Sequence, residues 1–434
     1  MKIDKELKYS AFKVGHEYSK EEFLAEINRL ERLKTDHNNV QLALKIILNS
    51  IYGVLGFKRF ICYHKDVAET VTTQSRSLIK FTIKIFNQYF RDYWHKDFAA
   101  HARIGITAPP KIEYDVVNYA DTDSVMLVME RVFRESGFGP DAVPDAAIHT
   151  KYLKGKDPTE PRIIRMNFYF RLYDYALKPY IETALKQYLR NFNAFQEQPN
   201  GKPSLKLSIE QINESMLWVA KKMYIKNPMW DDGAVYKSLA EISVKGLEMN
   251  RKTYSKWVRG KLKEMTEWIM GQGERLDNNQ LLAKLRAVKD QYATADISDI
   301  CETKKMNDYN TYCLGDAVEM KLAPGCPEHV RAAVHYNYKL HSSEYRGKYG
   351  RLISGSRVQF YATSDDTKVF GYPPGFYPAE FAPPVNLEEQ YRKTFLDPMN
   401  NILGALGIPK LNPELLLFPP LWTLFPIILG FISI

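Results

Sequence analysis

Cysteine is scarce in this chain, with 4 in 434 residues and no CxxC pair. That excludes a disulfide-stapled scaffold and fits a reducing compartment, so the expected location is cytoplasmic (the host cytoplasm if the chain is phage-encoded). The N-terminus has no apolar core: MKIDKELKYSAFK intersperses its charges and is not a signal peptide. No repeat of fixed period is present. Acid is the minority charge, 51 Asp+Glu against 60 Lys+Arg, a net +9. A basic balance on a folded chain favours a polyanionic partner. With 45% hydrophobic and 26% charged residues, the composition is that of a globular protein, not a disordered, collagen-like or multi-span membrane chain. The length suits roughly two or three domains. Charge is missing altogether from residues 415–434, LLLFPPLWTLFPIILGFISI. That run is long enough to span a bilayer, but Pro419, Pro420 and Pro426 would interrupt a helix. A docking peptide or buried tail is the expectation, and a membrane anchor the lesser alternative.

Apolar periodicity predicts a helix over 22–52, a turn at Gly53–Phe57 and a second helix from Val67 to Tyr89. Ile112–Glu130 has short apolar runs either side of a polar turn, the pattern of a β-hairpin. Residues 136–162 read as a loop or small insertion, and Ile163–Phe195 as one long helix. Leu205, Leu207 and Ile209 alternate as in a strand, and Met216–Lys226 continues strand-like. From 247 the pattern is helical and basic, with a later strand at Arg357–Thr363 and a helix over 387–405. The fold class expected is α+β.

The most informative segment is Tyr119-Ala120-Asp121-Thr122-Asp123-Ser124. Two carboxylates two residues apart, flanked by Val116, Val117, Val125 and Leu127, need water or cations around them. At a hairpin turn they could coordinate a hard cation such as Mg²⁺ through oxygen. The alternative is an ordinary solvated turn. Upstream, Lys45, Asn49 and Tyr52 are spaced i, i+4, i+7, so they share one helix face. A cation, an amide and an aromatic ring together suit a triphosphate and a base. The alternative is a solvated polar stripe closed by Gly53.

The two segments together resemble motifs of one family. YADTDS is similar to motif C (YxDTDS) of family B DNA polymerases, and Lys45–Gly53 is similar to their motif B (KxxxNSxYG), in the right order and at the right distance. The resemblance implies that Asp121 and Asp123 are catalytic, metal-binding carboxylates for two Mg²⁺ ions. It implies that Lys45 and Asn49 bind the phosphates of a dNTP, and that Tyr52 and Gly53 shape the nascent base-pair pocket. Ala220-Lys221-Lys222-Met223-Tyr224 resembles the KKRY element that holds the primer, with Met223 in place of one basic residue. Lys221, Lys222 and Tyr224 are then primer contacts, and Glu210 a secondary palm carboxylate. Lys245-Gly246-Leu247-Glu248 resembles the palm-to-thumb junction. The acid-free basic stretch Arg251–Lys263 follows, and Lys245, Arg251, Lys252, Lys256 and Arg259 are expected on the DNA backbone; the plain alternative is a solvated helix face. CPEHVRAAVHYNY resembles a thumb segment of the T-even-type phage branch. That branch ends in a clamp-docking peptide, for which Leu421, Trp422, Leu424 and Phe425 are candidates.

The organisation implied is a fingers remnant over 1–57, palm over 58–246, thumb over 247–410 and an apolar tail over 411–434. Motif A, DxxSLYP, is not found; Asp174 in YDYALKPY is the nearest lookalike, but it follows motif C. The expected function is that of the C-terminal piece of a split DNA-directed DNA polymerase, with primer–template DNA and dNTP as substrates. Its N-terminal half would supply the exonuclease and motif A, and a sliding clamp is a further partner. A truncated gene product would leave the same sequence. The alternative function is a non-catalytic DNA-binding fragment.

Overall fold

The computed structural model describes residues 9–138, 142–236, 242–315 and 319–412. Its contacts divide the chain into two units, residues 1–87 with 117–127, and residues 88–116 with 128–434. The candidates Leu421, Trp422, Leu424 and Phe425 lie outside the described residues.

The first unit is built from two helices and a hairpin. Helix α1 (Lys20–Leu55) starts where Ser19 and Glu22 cap one another: the Ser19 Oγ accepts from the Glu22 amide at 3.2 Å, and the Glu22 carboxylate from the Ser19 amide at 2.7 Å. The helix does not stop at Gly53 as expected but runs to Leu55. One glycine inside a helix costs only about 1 kcal/mol, and the long run of helix formers before it outweighs that. Helix α2 (Lys65–Gln88) follows. At its end the Asn87 Oδ1 accepts from the Val117 amide at 3.1 Å and so fixes where the hairpin begins. Strands β1 (Val117–Asp121) and β2 (Ser124–Leu127) pair antiparallel, with Asp121 opposite Ser124 and Ala120 opposite Val125.

The second unit holds two antiparallel sheets and most of the remaining helices. The long helix expected over Ile163–Phe195 is present as one continuous helical stretch from Pro161 to Asn191, with a widened junction at Leu172–Leu177. The buried Arg171 beside that junction spends its guanidinium on the Ile104 and Val143 carbonyls and the Asn167 side chain, as a buried charge must. Residues 205–209, expected as a strand, join no ladder. Pairing begins at Gln211, and Met216–Lys226 is not one strand. The chain reverses at Lys221–Lys222, giving β3 (Gln211–Ala220) and β4 (Met223–Asp231). Strands β5 (Ala234–Val235) and β6 (Ser243–Lys245) pair along the other edge of β4. Leu217 and Ile225 pack from this sheet against Val258, Leu262, Leu285, Tyr292, Phe395 and Leu403 from helical segments that follow it.

A second sheet orders β7 (Glu302–Lys305), β8 (Arg357–Ala362) and β9 (Val369–Tyr372). The helix Glu328–Ser342 packs on it through Val330 and Tyr336 against Val358 and Phe370. The helical stretch expected over 387–405 is present, as Leu387–Tyr391, Arg392–Leu396 and Asp397–Ala405. The class is therefore α+β with antiparallel sheets. Among the described residues no helix is long and apolar enough to cross a membrane.

His335 is buried on the helix Glu328–Ser342, with its Nδ1 at 2.9 Å from the Val369 carbonyl and 2.6 Å from the Thr367 hydroxyl. Burial pushes its pKa below the ordinary imidazole value, despite Asp365 at 3.5 Å. In the unfolded chain this ring takes up its proton at higher pH than in the fold. Stability is therefore lost as pH falls from the unfolded value, about 6.5, through the lowered folded one. His101 and His329 are lowered by burial in the same way. We expect the melting temperature to fall between pH 7 and pH 5. His335→Gln should flatten part of that fall in thermal scans, and an unchanged pH dependence would show that His335 does not titrate in that window.

Candidate functional site

The hairpin tip is the strained point of the first unit. Asp121 and Ser124 face each other across the ladder, leaving Thr122 and Asp123 to reverse the chain. Thr122 takes a φ of +56°, a left-handed value that a β-branched residue adopts at a cost of about 1–2 kcal/mol. The Asp123 amide donates to the Asp121 carbonyl at 2.7 Å, which makes Thr122 the centre of a tight three-residue turn. The Thr122 hydroxyl donates to the Asp121 Oδ1 at 3.1 Å, and the Ser124 hydroxyl to the Asp121 carbonyl at 3.2 Å. Asp121 is thus partly enclosed by its own turn, whereas Asp123 is exposed. Strain of this kind gathers at functional sites.

Two oxygen-donor carboxylates on one rigid turn suit Mg²⁺, which commonly takes one or two protein carboxylates and fills its other positions with water and phosphate. Among the described residues, however, no group of three or more His, Cys, Asp and Glu side chains could hold a metal ion. Asp174, the lookalike for motif A, is occupied elsewhere: its carboxylate takes the Lys151 ammonium at 2.6 Å and the Tyr152 hydroxyl at 2.9 Å.

Lys45, Asn49 and Tyr52 lie on the unbroken helix α1, so their spacing does put them on one helical face, and all three are exposed. Gly53 sits one residue further along, in open space.

The remaining candidates belong to the second unit. Glu210 is exposed just before β3, and its carbonyl accepts from the Asp232 amide at 2.9 Å. The turn between β3 and β4 carries Lys221 and Lys222, and Lys222 is itself left-handed at φ +62°. Tyr224 is buried two residues on, opposite Lys245 of β6, whose ammonium stands 5.3 Å from the ring centre. Arg251 donates to the Gly246 carbonyl at 3.2 Å and stands 3.7 Å from Glu248.

The basic run is split by its surroundings. Lys261 and Lys263 pair with Glu264 (2.9 Å) and Glu267 (3.5 Å) along the helix Lys256–Gln272, the ordinary use of a charged helix face. Lys252 and Lys256 are exposed, and Arg259 is half-buried. Lys226 is a further cation of the same sheet. It is half-buried on β4, bonded to the Gln211 side chain at 2.6 Å, and burial pushes its pKa down. Its only signal in the sequence was its place two residues after Tyr224.

Replacing Thr122 by glycine removes the left-handed penalty at the cost of some backbone freedom. The change also removes the Thr122 hydroxyl's bond to Asp121, so Thr122→Val, which loses that bond and keeps the strain, is the reference. We expect the hairpin of Thr122→Gly to be more stable than that of Thr122→Val by roughly 0.5–1 kcal/mol, read as slower exchange of the Asp123 amide. Exchange at Asp123 no slower in Thr122→Gly than in Thr122→Val would show that Thr122 is not strained.

Comparison with known proteins agrees with this arrangement of motifs. The family described as DNA polymerase family B matches residues 20–136, a span that includes both the α1 face and the hairpin. The DNA-directed DNA polymerase of Enterobacteria phage T4 is 24% identical over 314 residues, which is 71% of this chain and 30% of that protein. The corresponding protein of Escherichia phage RB69 is 21% identical over 318 residues, with the same coverage, 71% and 30%. The DNA polymerase catalytic subunit of varicella-zoster virus (strain Dumas) is 38% identical over 96 residues, 20% of this chain and 7% of that protein. The chain spans about 30% of the length of the phage relatives it matches. By the match over residues 20–136, and by lower similarity over most of its length, the chain is related to the family B DNA polymerases.

Proposed function

We propose that this chain is the C-terminal part of a DNA-directed DNA polymerase, transferring nucleotides from dNTP to a primer 3′-OH on a DNA template. The observation that carries the reading is the pairing of one exposed Lys–Asn–Tyr helical face with one strained two-carboxylate turn inside the family B match. On this reading residues 1–57 are a fingers remnant, 58–246 the palm and 247–410 the thumb. The tail 411–434 is then a candidate clamp-docking peptide.

Asp123 and Asp121 would hold two Mg²⁺ ions, with Asp121 the weaker ligand. The ions would supply the charge that stabilises the attacking and leaving oxygens. Lys45 neutralises charge that builds on the departing pyrophosphate, and Asn49 lies beside it. Tyr52 and Gly53 bound the nascent base pair. Lys221, Lys222 and Tyr224 hold the primer backbone. Lys245, Arg251, Lys252, Lys256 and Arg259 track the duplex, and Glu210 serves as an outlying palm carboxylate.

The carboxylate set is half of what such a site needs, so the remainder comes from polypeptide outside these 434 residues: an exonuclease region, motif A and a further fingers helix. Support for such a partner lies on α1. Leu42, Leu44, Ile46, Ile47, Leu48 and Ile51 are each 54–67% exposed, and a helix this apolar on several sides is ordinarily covered.

The rival reading is a DNA-binding fragment without catalysis, which the basic β3–β4 turn and the basic segment after it would serve alone. Primer extension separates the two. The chain mixed with a polypeptide carrying the exonuclease and motif A should extend a primer, and Asp123→Ala should reduce extension by at least about a thousandfold. DNA binding by the Asp123→Ala complex should persist. Full extension by that variant overturns the site assignment. DNA binding with no extension by the complete mixture supports the rival.

A further inference from the structure

The crossing of β6 over the β3–β4 turn is closer than any other residue type would allow. Gly246 follows directly on β6 with a φ of +76°. A Cβ placed on it would collide with the Lys222 carbonyl oxygen and come within 3.0 Å of the Met223 Cγ and 3.3 Å of the Lys222 carbonyl carbon. Two of these three neighbours are backbone atoms, which cannot swing away as a side chain can. The turn pressed against Gly246 is the one that carries Lys221 and Lys222, and its second residue is held in the left-handed region.

Three further contacts fasten the same crossing. Tyr224 pairs with Lys245 across the ladder, and the Lys245 ammonium lies over the Tyr224 ring at 5.3 Å. The Arg251 guanidinium donates to the Gly246 carbonyl at 3.2 Å. The Asn250 side-chain amide donates to the Val244 carbonyl. A two-residue turn bearing two lysines would otherwise be free to rock about its strands. Here the close approach of Gly246 and the Tyr224–Lys245 pair hold it against β6, while Asn250 and Arg251 fix the β6 backbone itself.

We propose that Gly246 is a positioning residue for nucleic-acid binding: its bare Cα lets the β6 backbone seat the Lys221–Lys222 turn, so that both lysines meet the phosphates of one strand as a preorganised pair. The inference rests on the proposed function, since it takes the ligand of this turn to be a nucleic-acid backbone. Preorganisation matters because each lysine that must be ordered on binding gives back part of its electrostatic gain. The contact itself is read in salt dependence, since each phosphate neutralised adds about 0.9 to the slope of log K against log salt on duplex DNA.

The test measures affinity for a fluorescein-labelled primer–template duplex by anisotropy across a salt series, using the full chain. Lys221→Ala with Lys222→Ala should lower the salt slope by about 2. Gly246→Ala removes no charge, yet it should lower the slope by at least about 1 and weaken binding several-fold. Adding it to the double lysine variant should have no further effect. Gly233→Ala is the control: Gly233 lies in the β4–β5 turn of the same sheet at φ +93°, with nothing near a Cβ, and its slope should equal the wild type. A merely destabilised variant loses active protein but keeps its slope.

A normal slope for Gly246→Ala beside a reduced slope for the lysine pair overturns the inference and leaves the nucleic-acid reading standing. A normal slope for the lysine pair overturns both. If Gly246→Ala does not fold, trypsin cleavage after Lys221 and Lys222 in the wild-type chain decides. Cleavage only as fast as global unfolding supports a seated turn, and cleavage independent of global stability overturns it.

Discussion

Two like charges two residues apart on a tight turn constrain everything else proposed for this protein. Asp121 and Asp123 cannot both be buried as anions, and they repel one another wherever water is thin. The fold meets this by placing them at a hairpin tip, with Asp123 exposed and Asp121 held by the Thr122 hydroxyl. Thr122 takes a conformation it would not choose freely. The hairpin in turn is anchored at its base by Asn87. Both carboxylates are thus held at one turn, Asp123 in water and Asp121 against its own turn.

The second unit repeats the device with the opposite sign. Its longest hairpin also reverses at a non-glycine residue in the left-handed region, here Lys222, and the turn presents two ammonium groups. In the first unit, side-chain hydrogen bonds to Asp121 stabilise the strained turn. In the second, a glycine beneath the turn does so by close approach. Acidic and basic functional groups are thus both placed by backbone geometry at turns, where a one-residue slip in register would remove them from the tip.

Long periodic features were legible in the amino-acid sequence: α1, α2, the hairpin around YADTDS, the strand at Arg357 and the helical stretch over 387–405. Their lengths and patterns left little competition. The misses have local causes. Gly53 has the form of a helix stop, but one glycine is a small penalty against a long helical run. Leu205–Ile209 alternates like a strand yet has no ladder partner, and partners are set by tertiary pairing that no alternation reveals. Met216–Lys226 looked continuous because the reversal falls on two lysines instead of glycine or asparagine, the usual turn residues. Of the candidate site, the residue types and their order were readable. The strain at Thr122, the burial of Lys226 and the close approach at Gly246 were not, because each depends on what lies across space.

The central claim is that Asp121 and Asp123 are half of a metal-binding set completed by another stretch of polypeptide. Mn²⁺ titration followed by electron paramagnetic resonance tests it most directly. The account predicts weak Mn²⁺ binding by the chain alone, lost in Asp123→Ala, and binding at least about tenfold tighter once a polypeptide bearing motif A is added. Mn²⁺ affinity that is unchanged by Asp123→Ala, or that does not rise with the added polypeptide, would contradict it.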